Sequence, residues 1–283
     1  MDRLKAGRTL RLNRFVRRLI APNPGLMTGP GTNTYLIGDD EIAIIDPGPN
    51  IDRHIEQLLA DAGGEIRYIV ATHTHPDHSP AVLPLAERTG ATVVGLPPPD
   101  GPHQDQTFSP DLQPQDGELL EVDGIRLELL HTPGHASNHL CVFLQDCGWL
   151  LTGDHVIDGS TVVIGPPDGS MSAYLESLRR LRGLPLKAIA GGHGDVLEQP
   201  VEAIDWLIDH RLEREKKVLA SLDAEQGRGL SELVKRAYDD VDDSLHQLAE
   251  RSLLAHLIKL EEDSVATRQG DQWSLKPAGE GGG

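Results

Sequence analysis

Over the first two hundred residues, short apolar runs alternate with glycine- and proline-bearing turns, and helical spacing appears between them. "NTYLIG" and "EIAIIDPGP" are short, apolar and turn-bounded, which predicts adjacent strands. "NIDRHIEQLLADAGG" has helical spacing, with Asn50 as its expected cap and glycines as its stop. "IRYIVATHTH" predicts a strand that carries through His75, and "SPAVLPLAERTG" a helix beginning at Ser79. Further strands fit "ATVVGL", "GIRLELLHT", "HLCVFLQ", "GWLLTGD" and "LKAIAGGHG". "SMSAYLESLRRLRGL" is an amphipathic helix with Ser170 as its cap. Residues 96–117, rich in proline, aspartate and glutamine, predict a surface loop.

Near Pro200 the texture changes. "VEAIDWLIDHRLEREKKVLASL", "LSELVKRAY" and "DDSLHQLAERSLLAHLIKLEE" read as helices, and "SVATRQGDQWSLKP" as a hairpin turning at Gly270 and Asp271. Helices followed by a hairpin predict a small winged-helix module. The expected division is therefore residues 1–200 and residues 201–283, with low complexity confined to the terminal "GEGGG".

Composition narrows the partners. With 38% hydrophobic and 25% charged residues the chain is an ordinary globular protein, and no run approaches the roughly 18 apolar residues of a membrane helix. The first twenty residues carry seven basic side chains and one acidic, yet they lack a hydrophobic signal core and are read as folded chain. Cys141 and Cys147 lie in an apolar stretch, which predicts buried free thiols and a reducing cytoplasm. A net charge of −18 disfavours a polyanionic partner. Residues 201–283 hold 11 Lys+Arg against 18 Asp+Glu, a balance of −7 that makes DNA an unlikely target for the module. A packing, pocket-lining or dimerising role fits it better, so a homo-oligomer stays open.

"ATHTHPDHSP" concentrates His73, His75, Asp77 and His78, each able to bind a metal or move a proton. Two histidines two apart on a strand leave one face, and Pro76 then turns Asp77 and His78 toward a second position. "HTPGHASNH" places His135, "LLTGDH" Asp154 and "AGGHGD" His193, each on a glycine-bearing turn after a strand. Five histidines and two aspartates of this kind are enough for two metals.

These motifs resemble the signature of the metallo-β-lactamase superfamily, His-x-His-x-Asp-His followed by a distant His, Asp and His, over residues 10–200. The resemblance implies that His73, His75 and His135 bind a first metal and Asp77, His78 and His193 a second, with Asp154 bridging. It also implies that Asp46, in "IDPGP", supports the ligand loop from behind. "NPGLMTGPGTNTYLIG", "TPGHASNHLCVFL" and "GDHVIDGSTVVIGPPDGSMSAYLESLRRL" are similar to the beta-lactamase-like protein two group, in which a winged-helix-like domain follows the hydrolase. The implied fold class is α/β, a four-layer αβ/βα metallo-β-lactamase sandwich with that C-terminal domain; periodicity alone also allows an open α/β sheet.

The implied activity is metal-dependent hydrolysis. Imidazole and carboxylate ligands without a thiolate suit zinc, with manganese or iron as alternatives. Two divalent ions about 3.5–4 Å apart share a hydroxide and lower its pKa to about 7. Asp77 is the expected catalytic residue, orienting that hydroxide. Asn33 and Thr34, in a glycine-rich loop, are candidate substrate contacts, as is Ser170 beyond its capping role. A small acyl ester or thioester is the preferred substrate. Single-stranded RNA is the alternative, with Arg179, Arg180 and Arg182 as the visible basic candidates. An iron persulfide dioxygenase and a winged-helix nucleic-acid-binding regulator are the rivals from other classes. Diiron reductases carry glutamate where His75 stands.

Overall fold

A computed structural model describes residues 4–277, so the "GEGGG" tract lies outside the described residues. Strands β1 (Leu10–Arg11), β2 (Val16–Ile20), β3 (Asn33–Ile37), β4 (Glu41–Ile45), β5 (Glu65–Val70) and β6 (Thr92–Val94) form one sheet in that order. Helices α1 (Asp52–Ala62) and α2 (Val82–Thr89) cross over between the parallel neighbours β4, β5 and β6. A second sheet is ordered β11-β10-β9-β8-β7, from β7 (Glu118–Val122), β8 (Ile125–His131), β9 (Leu140–Leu144), β10 (Trp149–Gly153) and β11 (Ala188–Gly191). Helix α3 (Met171–Arg182) joins its parallel pair β10 and β11.

Period-two patterning explains why the sheets stack. On β4, Ala43 and Ile45 enter the core between the sheets, while Ile42 and Ile44 meet Ile55 and Leu58 of α1 and Leu85 of α2. On β9, Val142 and Leu144 face inward, and Cys141 and Phe143 pack against Tyr174 and Leu178 of α3. Two apolar faces per sheet require a helical layer outside each, which gives the four-layer sandwich.

Helices α4 (Pro200–Ser221), α5 (Leu230–Ala237) and α6 (His246–Glu262) follow, with hairpin β12 (Ala266–Gln269) and β13 (Gln272–Leu275). The hairpin turns at Gly270 and Asp271 as expected, with Gly270 at φ 58°. Its Trp273 is buried among Val218 of α4, Leu233 of α5 and Leu257 of α6. The apolar cluster changes along α4: Ile204 and Leu207 belong to the core beneath α3, whereas Val218 belongs to the C-terminal core.

Several local expectations need correction. Asn50 does not cap α1; Ile51 holds the cap position with no side-chain hydrogen bond. Helix α2 starts at Val82 rather than Ser79, whose hydroxyl donates to Asp105 instead. Strands β1, β2 and β7 were not expected. In β2 the two arginines are structural: Arg17 donates to the carbonyls of Asp61, Gly38 and Ala62, and Arg18, 1% exposed, to that of Gly194. The loop over residues 96–117 exists, but Phe108 is buried in the α1–α2 layer and ties it down. Both cysteines are free, Cys141 buried and Cys147 half-buried.

Candidate metal centre

Strand β5 ends at Val70, so His73 and His75 lie beyond it in an irregular segment. A turn then closes, with the His78 amide donating to the His75 carbonyl at 3.0 Å. Asp46, at the end of β4, holds this segment: its carboxylate accepts from the Thr72 amide at 2.7 Å, the Thr72 hydroxyl at 2.8 Å and His78 Nδ1 at 2.9 Å. Asp46 is 2% exposed and sits at φ 49°, a left-handed conformation that aspartate and asparagine tolerate. Asp46→Asn keeps that backbone but removes the charge and places an amide where His78 needs an acceptor. The expected result is metal affinity weakened about 10- to 100-fold, read by competition with a chromogenic chelator; unchanged affinity would release Asp46 from this role.

The surrounding acceptors fix the ring tautomers. The Thr72 hydroxyl donates to Asp46, so its oxygen accepts from His73 Nδ1 at 3.0 Å. His78 Nδ1 donates to Asp46, His135 Nδ1 to the Val163 carbonyl at 2.7 Å, and His193 Nδ1 faces the Gly31 carbonyl at 3.4 Å. In each ring the Nε2 lone pair is left for the centre. His75 turns its Nδ1 inward, 2.9 Å from His73 Nε2 and 3.0 Å from His135 Nε2. Three lone pairs packed this closely repel one another unless a proton or cation lies among them.

Asp154 faces both halves of the cluster. Its Oδ1 lies 3.4 Å from His78 Nε2 and 3.3 Å from His193 Nε2, and its Oδ2 3.8 Å from His135 Nε2. Asp77 Oδ2 is 3.3 Å from His193 Nε2 and 3.5 Å from His78 Nε2. Three overlapping sets have metal-ligand spacing: His73, His75 and His135; His73, His78 and Asp154; and Asp77, His78 and His193. Burial, with His78, His75 and His135 close by, holds the His73 pKa well below the usual value, and burial beside His135 lowers His75 to about 3, so both rings are neutral donors at pH 7. Burial opposes charge on His193 too, yet Asp154 raises it to about 9, which marks a place where the carboxylates call for positive charge.

The residues fit a pair of divalent ions. His78 Nε2 and Asp154 Oδ1 are buried without hydrogen-bond partners, which is costly unless a cation satisfies them. The end of β11 leaves room: a Cβ on Gly192 would come within 2.7 Å of both Asp154 Oδ1 and His78 Cε1.

The ligands open into a cleft of about 480 Å³. Asn33 and Thr34, the proposed substrate contacts, do not line it. Asn33 is buried and donates to the carbonyls of Gly191 and Gly194, beneath the His193 turn, and Thr34 bonds His54. Ser170 accepts from the Ala173 amide at 3.3 Å as the cap of α3 and also stands off the cleft, whose wall ends at Asp168. Of the three arginines on α3, Arg180 and Arg182 are paired with Asp116 and Asp205, and none of the three lines the cleft.

Sequence reasoning missed a polar brace behind the centre. The Thr74 hydroxyl donates to Gln104 and accepts from Asn138, and Gln104 donates to Asp168. It also missed a strip that joins the C-terminal helices to the centre. Arg211 of α4 donates to the Val162 carbonyl, His135 to that of Val163, and the Ile164 amide donates to Ser252 of α6. The glycine-proline stretch "GPPDG" is the local signal that this loop is built to hold a shape.

A family model described as the metallo-beta-lactamase superfamily matches residues 27–193, and one described as the beta-lactamase associated winged helix domain matches residues 230–273. The chain belongs to the metallo-beta-lactamase superfamily and is a hydrolase with a C-terminal winged helix. It is 30% identical over 264 residues to a beta-lactamase-like protein 2 homolog of Caenorhabditis elegans, covering 90% of this chain and 87% of the relative. It is 33% identical over 216 residues to an atrochrysone carboxyl ACP thioesterase of Aspergillus fumigatus, covering 73% of this chain and 64% of the relative. A beta-lactamase domain protein from Burkholderia ambifaria shares the fold at a TM-score of 0.81 and 20% identity, over 97% of this chain and 95% of that one. Among the described residues no helix is long and apolar enough to cross a membrane.

Proposed function

We propose that the chain is a dinuclear metal hydrolase of small acyl thioesters. His73, His75 and His135 would hold one ion, Asp77, His78 and His193 the other, and Asp154 would contact both. Zinc is the ion this imidazole and carboxylate set suits best. Ions held there supply Lewis acidity toward an acyl carbonyl and lower the pKa of water to about 7. Asp77 lines the cleft and is a quarter exposed, so its carboxylate is placed to take the proton of the attacking water and pass it to the leaving thiolate. We also place the hydrolase in residues 1–200 and the appended module in 201–283, since the apolar cluster changes along α4. Cytoplasmic residence is our reading of the two free thiols.

The observation that carries the substrate choice is the cleft wall. Met27, Val163, Pro166 and Leu248 offer an apolar surface to an acyl chain, while Asp77, Asp100, Asp154 and Asp168 face the same space with Arg251 as the one Lys or Arg among the lining residues. An RNA strand would carry several phosphates past those carboxylates. The similarity to a named thioesterase supports the same choice.

Metal-replete protein is expected to contain about two ions per chain by elemental analysis, and one or none would remove the second centre. The same protein, offered an acyl thioester, a chromogenic lactam and single-stranded RNA, is expected to turn over the thioester fastest, with kcat/KM nearly independent of salt. Efficient RNA cleavage that falls roughly a thousandfold between about 50 and about 200 mM salt would overturn the thioesterase in favour of a ribonuclease.

A further inference from the structure

Among the arginines of the C-terminal module, only Arg251 and the buried Arg211, which is bonded to the Val162 carbonyl, lack a carboxylate partner among the described residues. Arg214, Arg228, Arg236 and Arg268 reach carboxylate oxygens at 2.7, 3.1, 3.1 and 3.8 Å. Among the described residues Arg251 makes no ion pair, and its one hydrogen-bonding contact is to His103 Nε2 at 3.4 Å. Its stem lies along Gly165, with Cδ 3.8 Å from where a Cβ would stand on that glycine, an ordinary packing distance. Both Arg251 and His103 line the same cleft as Asp77, His135 and Asp154. Asp168, the acid closest in sequence to Gly165 on that wall, is already engaged by the Ser137 amide and Gln104. A chain of net charge −18 thus keeps an unpaired guanidinium at its active-site cleft, delivered by a helix of the other module.

We infer that Arg251, assisted by His103, is a specificity residue that receives a single anionic group of the substrate, a carboxylate or a phosphate, at the end of the cleft formed by α6. A guanidinium binds such groups through paired charged hydrogen bonds, and Arg251 is the one Lys or Arg among the residues lining the cleft. The four carboxylates on the remaining wall favour one localised anion over a polyanion. This inference rests on the thioesterase reading for the bond that is broken, not for the anion that is bound.

Two matched pairs of thioesters separate the sources of the anion. Succinyl- and butyryl-N-acetylcysteamine differ by a carboxylate on the acyl side; butyryl-4′-phosphopantetheine and butyryl-pantetheine differ by a phosphate on the thiol side. With metal-loaded full-length protein, Arg251→Ala is expected to raise KM about ten- to a hundredfold for the anionic member of one pair, with kcat within about twofold and the neutral member unchanged. Arg251→Lys is expected to recover part of the loss, since it keeps the charge without the fork. Equal losses on anionic and neutral members, or no loss on either, would overturn the inference. Equilibrium binding of succinate against butyramide, and of 4′-phosphopantetheine against pantetheine, supplies an arm that needs no turnover. If the wild type hydrolyses no thioester, the proposed function fails, and this arm still decides the role of Arg251. Wild-type protein with no preference for either anion, or an Arg251→Ala variant that loses only binding of an RNA oligonucleotide, would sink it.

Discussion

Asp77→Ala is expected to lower kcat by about two to four orders of magnitude, the range that a positioned proton acceptor contributes. Among the described residues its carboxylate pairs only with His78 and His193, and its backbone turn is closed by the His75 carbonyl, which the substitution leaves in place. None of the apolar clusters contains the residue, so the melting temperature should stay near that of the wild type. Measuring kcat beside metal content distinguishes the two duties assigned to it. Low kcat with both ions retained identifies proton transfer, and low kcat with one ion lost identifies metal holding. Full turnover with both ions present removes Asp77 from the mechanism.

Gly192→Ala should be nearly as damaging although it deletes no ligand. The backbone there is not left-handed, so alanine meets no conformational penalty, and the effect is purely one of space. The new methyl would press on Asp154 Oδ1 and His78 Cε1, both at 2.7 Å, and on the Gly153 backbone at 3.1 Å. His78 cannot retreat, because its other nitrogen is fixed to Asp46 at 2.9 Å. Displacing two ligands by even a fraction of an ångström is expected to cost about a hundredfold in kcat/KM, together with a loss of bound metal, at unchanged circular dichroism. Wild-type activity and metal content would show that the end of β11 yields, and the close approach would lose its significance.

The parts of the molecule that were legible in the sequence are those with local causes. The alternation in "EIAII" sets the two faces of β4, and Ser170 caps α3 through a residue three positions on. The grouping of His73, His75, Asp77 and His78 was visible because one short turn carries all four, and the structure brings His135, Asp154 and His193 to it. What escaped notice depends on distant partners. Arg17 and Arg18 read as folded chain, but their partners were not visible, because the carbonyls that receive them lie 21 to 45 and 176 residues away. Asn33 and Thr34 looked like pocket residues because their loop is glycine-rich, yet pairing of β3 with β2 carries Asn33 under the His193 turn and Thr34 to His54. No local pattern marks Arg251, which meets His103 across 148 residues of chain.

The strip over residues 162–164 has a consequence for how the two halves of this chain can be inherited. Successive backbone groups there bind Arg211, His135 and Ser252, so the imidazole of a candidate ligand and two helices of the winged-helix side hang from the same three residues. A chain cut at residue 200 would keep every ligand and still lose both outer anchors of that strip, freeing the carbonyl that aims His135. Without α4 and α6, the hold on His135 is therefore expected to loosen. A lineage that exchanges its C-terminal module must preserve an arginine and a serine at those two places, or rebuild the orientation of a histidine more than seventy residues upstream.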